Sequence, residues 1–192
     1  MWRAVLALLS LVALTLLPVA ATPSLRLPDL DNRLVDPFLA SESRRAMAFL
    51  FVSVECPISN RYAPVVQRLH EAYSGQGVSF WLVYPNPSES PSAIRGHLAA
   101  YGYPVHALRD PKHDLVKLTG VTVTPEVAVY DGGQSLVYRG RLDDRYVRLG
   151  LERPAPTRQD LAEALASILT GRRVREAVTP AVGCFIADFR PQ

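Results

Sequence analysis

Cysteine is scarce in this chain, and its scarcity limits what the protein can be. Only two cysteines, Cys56 and Cys184, occur in 192 residues, so at most one intramolecular disulfide can form. A small domain held together by several disulfides is therefore excluded. The chain also lacks any internal repeat, which excludes a repeat architecture. The length of the chain is sufficient for one domain with its own hydrophobic core.

The chain also carries little excess charge of either sign. The formal net charge is only +3, and lysine and arginine are scattered among acidic residues. This pattern lacks the basic stripe of a nucleic-acid-binding protein, so no nucleic-acid partner is predicted. The densest basic cluster, Arg172, Arg173 and Arg175, is expected to be the solvated end of a helix.

Long apolar runs are confined to the first residues. A basic start, Met1 to Arg3, precedes an apolar stretch over residues 4–17, and Val19-Ala-Ala21 has the small residues of a signal-peptidase site. The stretch is shorter than the roughly 20 residues of a transmembrane helix. Residues 1–21 are therefore predicted to be a cleaved signal peptide, with a periplasmic or secreted product and no stable membrane insertion afterwards. An uncleaved N-terminal anchor is the alternative.

The mature chain divides into a domain over residues 22–170 and a tail over 171–192 that carries Cys184. Alternating residues predict a short N-terminal hairpin over 25–35, and apolar runs predict buried strands over 46–54 and 78–84. Helices are expected from Ala63, after a cap at Ser92, over 114–118 and after the Thr157-x-x-Asp160 capping box. The segment 105–109 could be extended, and the Asp131-Gly-Gly133 turn predicts a hairpin of 126–130 with 136–138.

This order of elements is a βαβ unit joined to a ββα unit. The fold class is therefore α/β, with a central mixed sheet flanked by helices on both faces. The N-terminal hairpin precedes this core, and a final helix and the tail follow it.

The thiol of Cys56 is placed where a strand meets a helix. Unpaired N–H groups in the first helical turn favour an anion, so the pKa of this thiol is expected to be low. The adjacent carboxylate of Glu55 is expected to oppose that shift. An inert thiol is unusual at such a junction, and Cys56 is the candidate nucleophile.

The sequence resembles the thioredoxin superfamily, specifically its exported redoxin and peroxiredoxin-like branch. The resemblance rests on the strand-Cys56-x-x-Ser59-helix motif with Ala63-Pro64 downstream, the segment 120–125 ending in Thr124-Pro125, and the Asp131-Gly-Gly turn. It implies a thioredoxin-like fold, a nucleophilic Cys56 and a helix-kinking Pro64. It also implies a cis Thr124–Pro125 bond beside the thiol that offers backbone to an extended substrate. Pro57 is assigned to the same substrate-binding surface.

The sequence departs from the common active site at its second cysteine. Ser59 stands where a C-x-x-C motif has its second thiol, so a local disulfide cannot form. Ser59 can still donate a hydrogen bond to a Cys56 thiolate. Cys184 follows Gly183 in the tail, and Gly183 is expected to let the tail bend. Cys184 is then a resolving cysteine, a partner in a static disulfide, or a partner in an intermolecular one.

A peroxidase is the main rival interpretation. Ser53-Val-Glu-Cys56-Pro57 resembles the T/S-x-x-C-P motif of peroxiredoxins, in which a hydroxyl and the thiolate bind peroxide. Phe49 stands where that motif has proline, and Pro125 falls about where its arginine would be. Arg61 or Arg141 would have to supply the missing cation.

The sequence predicts neither a metal site nor a cofactor. A copper-chaperone relative would need a C-x-x-x-C pair, which is absent. His113 is the only candidate partner for Cys56, and a surface position is expected for it. Asp143 and Asp144 are expected to cap a loop.

Three functions follow from these observations. The leading one is an exported thiol–disulfide oxidoreductase that uses Cys56, with Cys184 as a candidate resolving thiol. The others are a thiol peroxidase and a non-catalytic binding module. The expected partners are a thiol or disulfide protein substrate or a small oxidant, together with an external reductant.

Overall fold

A five-stranded mixed sheet forms the centre of the molecule. The computed structural model describes residues 25–41 and 44–189. The strand order in the central sheet is β5-β4-β3-β7-β8, with β3, β4 and β5 parallel and β7 and β8 antiparallel to their neighbours. The elements in chain order are β1 (Leu27–Pro28), β2 (Leu34–Val35), α1 (Pro37–Ala40), β3 (Ala46–Phe51), α2 (Pro57–Arg61), α3 (Ala63–Tyr73), β4 (Val78–Tyr84), α4 (Pro91–Tyr101), β5 (His106–Arg109), α5 (Asp114–Thr119), β6 (Val123–Thr124), β7 (Glu126–Asp131), β8 (Leu136–Gly140), β9 (Tyr146–Arg148), β10 (Leu151–Glu152), α6 (Asp160–Leu169) and β11 (Cys184–Phe185).

The central strand β3 explains why helices cover both faces. All six of its residues are buried, and successive side chains point to opposite faces of a strand. Alternate residues such as Ala48 and Leu50 join a core cluster with α3, α4 and α6, whereas Phe49 and Phe51 join a second cluster with α5. The predicted mixed sheet between two helical layers is thus confirmed.

Several predicted boundaries need correction near the site. The strand ends at Phe51 rather than at residue 54, because the chain turns away to reach Cys56. The following helix is interrupted: α2 ends at Arg61 with Tyr62 as its cap, and α3 begins at Ala63 with Pro64 in its first turn. Tyr62 between the two keeps helical dihedrals, donates to the Ile58 carbonyl and accepts from the Val66 N–H. The interruption just before Pro64 therefore agrees with the helix-kinking role that the resemblance implies.

Two predicted helix caps are also wrong. The cap of α4 is Ser90, whose hydroxyl accepts the Ala93 N–H, and Ser92 is already inside the helix. The helix α6 is capped by Gln159 without a side-chain hydrogen bond. Thr157 does not form a capping box, because its N–H and its hydroxyl both donate to Asp144. Asp144 thereby closes the loop before α6, as expected from the sequence.

The chain after α6 returns to the sheet and is held at two points. Thr179 is buried, and its hydroxyl lies 2.7 Å from the hydroxyl of Tyr138 on β8. Ile186 is buried in the second core cluster. The six residues between these anchors, 180–185, are called the strap below. They include β11, which pairs with β6.

The predicted signal peptide, residues 1–21, lies outside the described residues. Within residues 25–41 and 44–189, no helix is long and apolar enough to cross a membrane.

The predicted N-terminal hairpin is confirmed, since β1 and β2 pair antiparallel with Leu27 opposite Val35.

Candidate functional site

The candidate site is built where β3 ends and α2 begins. Cys56 is the N-cap residue of α2, and Pro57 occupies the first helical position. The fixed φ of proline suits that position, so the sequence Cys-Pro sets the start of the helix directly after the thiol. Cys56 is only 1% exposed, and its Sγ lies 3.1 Å from the carbonyl oxygen of Thr124.

The carbonyl that contacts Cys56 belongs to a cis peptide unit. The Thr124–Pro125 bond is cis, and both residues are buried, as the resemblance implies. The buried carboxylate of Glu126 accepts hydrogen bonds from the N–H groups of Thr122 and Val123. Glu126 thus holds the short strand β6 in place beside the thiol.

Cys184 lies directly over Cys56. β11 pairs antiparallel with β6, with Cys184 opposite Thr124 and Phe185 opposite Val123. This pairing brings the two sulfurs within 2.7 Å across 128 residues of sequence, with both cysteines as free thiols. Cys184 itself is partly exposed. Two of the predicted site residues are therefore in contact, which sequence separation could not establish.

Gly183 has a different role from the flexibility expected of it. A Cβ built on Gly183 would overlap the carbonyl group of Thr124. Any larger residue would push β11 away from β6, because the obstacle is backbone and cannot rotate aside. Gly183 therefore allows the close approach of β11 to β6, and the segment around it packs against the cis peptide unit.

The pKa values of the two thiols are shifted in opposite directions. Burial raises the pKa of Cys56, but hydrogen bonds from the Cys184 thiol and from Ser59 outweigh it and leave the pKa lowered. Burial and the neighbouring Cys56 raise the pKa of Cys184 to about 12. Of the two thiols, Cys56 therefore ionises at the lower pH, and Cys184 keeps its proton to higher pH. Glu55, expected to oppose ionisation, is exposed.

Ser59 and Pro57 take up the positions next to the pair. Ser59 is fully buried, and among the described residues its hydroxyl has no hydrogen-bond partner of good geometry. The hydroxyl is therefore available to turn toward the Cys56 thiolate, in line with its lowering of the thiol pKa. Pro57 is exposed and lines a cleft of about 230 Å³ with Ile58, Tyr146 and Leu151.

The groups proposed for a peroxidase site are engaged elsewhere. The hydroxyl of Ser53 donates to Glu89 at 2.7 Å. Arg61 pairs with Glu152, and Arg141 pairs with Asp160. The Ser53 hydroxyl and both candidate cations thus have partners other than Cys56.

Glu89 is a residue of this site that sequence reasoning missed. Its carboxyl group is buried and accepts from the Ser53 hydroxyl and the Val54 N–H, so it holds the segment that leads into Cys56. Burial raises the pKa of Glu89, and hydrogen bonds from Ser53 and Val54 offset part of that increase. Glu89 lies in a loop rich in proline and serine, where a single acid looks like an ordinary surface residue.

His97 is a second residue that sequence reasoning missed, and it contacts α2 through Asn60. The buried His97 lies 2.8 Å from both the Tyr84 hydroxyl and the Asn60 side-chain oxygen. Asn60 in turn donates to the Val54 carbonyl. Burial lowers the pKa of His97, so the neutral ring links α4 to the turn that carries Cys56.

His113 is not the surface residue that the sequence predicts. It is buried, its Nε2 lies 3.1 Å from the Pro85 carbonyl, and its ring packs against Phe189. In the described part of the chain, no group of three or more histidine, cysteine, aspartate or glutamate side chains is arranged to hold a metal ion.

The architecture and the placement of Cys56 define a thioredoxin-like fold, and solved structures agree. A hypothetical protein from Sinorhizobium meliloti 1021 is 29% identical with a TM-score of 0.73, covering 84% of this chain and 89% of its own. An uncharacterized conserved protein from Geobacillus kaustophilus is 28% identical with a TM-score of 0.76, covering 88% and 90%.

More distant structures of known type share the same fold. A secreted Mycobacterium tuberculosis disulfide oxidoreductase homologous to E. coli DsbE is 14% identical with a TM-score of 0.53, covering 77% of this chain and 96% of its own. Thioredoxin-like, DsbE-type and StoA structures belong to the same group of neighbours. A comparison with protein-family models gives no match, and a comparison with curated proteins gives none either. The neighbours therefore show that this chain has a thioredoxin-like fold.

Proposed function

We propose that this protein is an exported thiol–disulfide oxidoreductase whose redox couple is Cys56 and Cys184. One observation carries the proposal: the two sulfurs lie 2.7 Å apart beside the cis Thr124–Pro125 unit. The strap thus supplies the second thiol that Ser59 cannot. Neighbours of known type, including disulfide oxidoreductases, support the same class of reaction.

The proposed reaction transfers two electrons. In the oxidised protein Cys56 and Cys184 share a disulfide. Two substrate thiols reduce it in two exchange steps, which form one substrate disulfide and return both cysteines to thiols. In the reverse direction the reduced pair opens a substrate disulfide. The lowered pKa of Cys56 stabilises the thiolate form of one member of the couple.

The local contacts favour exchange over peroxide reduction. A peroxidase needs a hydroxyl and a cation beside the thiolate to stabilise the departing oxygen. Here the Ser53 hydroxyl donates to Glu89, and Arg61 and Arg141 are paired with carboxylates. The sulfur that contacts Cys56 is instead that of Cys184, which suits disulfide formation.

Export and location are part of the proposal. The predicted signal peptide over residues 1–21 and a secreted disulfide oxidoreductase among the neighbours support a periplasmic or secreted protein. Disulfides persist in such compartments. The proposed partners are a thiol or disulfide protein substrate and an external reductant.

The test compares two activities in the wild type and its variants. Rates of disulfide exchange and of peroxide consumption are measured for the wild type, Cys56→Ser and Cys184→Ser, with Gly75→Ala as a control because its Cβ would meet open space. We expect the wild type and the control to catalyse repeated turnover of exchange, and both cysteine variants to lose turnover because a single thiol can form only a mixed disulfide. Faster peroxide consumption than exchange would favour a peroxidase, and no turnover in any protein would favour a binding module.

A further inference from the structure

We propose that Cys184 is the sulfur through which the redox couple exchanges with external thiols, and that Cys56 is its internal partner. This assignment rests on the proposed function and reverses the roles expected from the sequence. The sequence places the reactive nucleophile at Cys56 and a resolving thiol at Cys184. The structure separates two properties that the sequence does not distinguish, a stabilised thiolate and an accessible sulfur.

Access distinguishes the two sulfurs. Cys56 is 1% exposed, and its contacts are the Thr124 carbonyl, Ser59 and Cys184. Thr124 and Ser59 are themselves buried. Cys184 is partly exposed, and the next residue, Phe185, is 84% exposed. An external molecule therefore reaches Cys184 first and finds an aromatic side chain beside it.

The direction of attack gives the same result. In thiol–disulfide exchange the attacking sulfur approaches in line with the bond that breaks, from the side opposite the leaving sulfur. Attack on Cys56 would have to come from the side away from Cys184, and only 1% of Cys56 is exposed. Attack on Cys184 comes from the side away from Cys56, and Cys184 is the more exposed of the two.

The strap makes an opening motion costly. It is held by the Thr179 hydroxyl against Tyr138 at one end and by Ile186 in the core at the other. β11 also pairs with β6 over Cys184 and Phe185. Exposing Cys56 would require these contacts to break, whereas exchange at Cys184 requires no rearrangement.

Leaving-group chemistry supports the same order of events. A sulfur with a lower thiol pKa leaves faster in exchange. When Cys184 carries the substrate it has no proton to donate, but the backbone and hydroxyl of Ser59 still donate to Cys56 and lower its pKa, while burial raises that of Cys184. Attack at Cys184 therefore expels the better leaving group.

The proposed cycle balances in two steps. A substrate thiolate attacks the Cys184 sulfur of the disulfide, the substrate–Cys184 bond forms, and the electron pair of the broken bond stays on Cys56 as a thiolate. A second substrate thiolate then attacks the bound substrate sulfur and forms the substrate disulfide. Cys184 leaves with the electron pair of that bond and takes up a proton from water. The two substrate thiols are oxidised, and the two cysteines are reduced.

The first experiment locates the adduct on the full chain. The oxidised protein is mixed briefly with reduced glutathione, quenched with acid, alkylated and mapped by mass spectrometry. We expect glutathione on Cys184 and the alkyl group on Cys56, in about tenfold or greater excess over the opposite arrangement. Glutathione mainly on Cys56 would overturn the assignment.

The second experiment removes transfer between the two thiols. Cys56→Ser and Cys184→Ser each keep one thiol, and both react with oxidised glutathione. Each rate is divided by the thiolate fraction taken from that variant's own pH titration, because the two thiols ionise differently. Per thiolate, we expect Cys56 to be about tenfold slower than Cys184 or worse, because the serine introduced by Cys184→Ser preserves the cover over Cys56. Adding Gly183→Ala to Cys184→Ser should release the strap and restore the reaction of Cys56. Equal rates in Cys184→Ser with and without Gly183→Ala would show that the strap does not shield Cys56.

These outcomes separate the assignment from the proposed function. An adduct on Cys56 contradicts only the order of attack and leaves the couple intact. Failure of the oxidised protein to exchange with any thiol, or failure to form the Cys56–Cys184 disulfide, would contradict the couple itself and the assignment with it.

Discussion

Gly183→Ala is the sharpest perturbation of the couple, because one methyl group acts on one contact. The added Cβ would overlap the Thr124 carbonyl, so β11 must shift away from β6. Overpacking of this kind costs about 1 to 3 kcal/mol. If that cost falls on the arrangement that holds Cys184 over Cys56, the equilibrium constant for disulfide formation decreases by about 5- to 150-fold.

The assay equilibrates the protein with glutathione redox buffers and counts free thiols after alkylation. The oxidised fraction of Gly183→Ala should require a more oxidising buffer than the wild type. Gly75→Ala is the matched control, since its Cβ meets no atom within 4 Å, and it should follow the wild type. An unchanged equilibrium in Gly183→Ala would refute the view that β11 pairing positions Cys184.

Three further predictions concern single side chains. Ser59→Ala should raise the pKa of Cys56, because it removes the hydroxyl donor, while the backbone N–H at position 59 and the Cys184 thiol still donate; thiolate absorbance against pH measures the change. Burial raises the pKa of Glu89, so the folded protein binds its proton more tightly than the unfolded chain does. The free energy of unfolding therefore falls as the pH rises from the pKa of Glu89 in the unfolded chain to its pKa in the folded protein. Glu89→Gln should remove this decrease in urea titrations at several pH values; an unaltered pH dependence would contradict it. Leu50→Ala should cost about 2 to 5 kcal/mol in urea unfolding, because Leu50 is buried in the central strand.

The central sheet could be predicted because its strands have strong local signals. The run Val78 to Tyr84 is apolar throughout except for Ser79, and the strand begins and ends where the pattern indicates. The cis Thr124–Pro125 bond is instead implied by the family resemblance, whereas the hairpin at Asp131-Gly-Gly133, like the strand, follows from local sequence. The strand and the hairpin depend on neighbouring residues, so the sequence carries them directly.

The sequence predicts only those parts of the site whose residues lie close together along the chain. Cys56 and Ser59 share one helical turn, whereas Cys184 reaches them through a packed tail that no periodicity indicates. Gly183 has the sequence pattern of a flexible residue, because the sequence does not reveal the Thr124 carbonyl against which it packs. Glu89 escapes sequence reasoning for the same reason, since its partners are distant in sequence.

The central claim is that Cys56 and Cys184 form a reversible intramolecular redox couple. A redox titration of the full chain, with alkylated thiols counted by mass spectrometry and chain association followed in parallel, tests it most directly. We expect both thiols to disappear together in one two-electron transition of a chain whose association state does not change. Two thiols that titrate separately, stay free under oxidising buffers, or form disulfides between chains would contradict it.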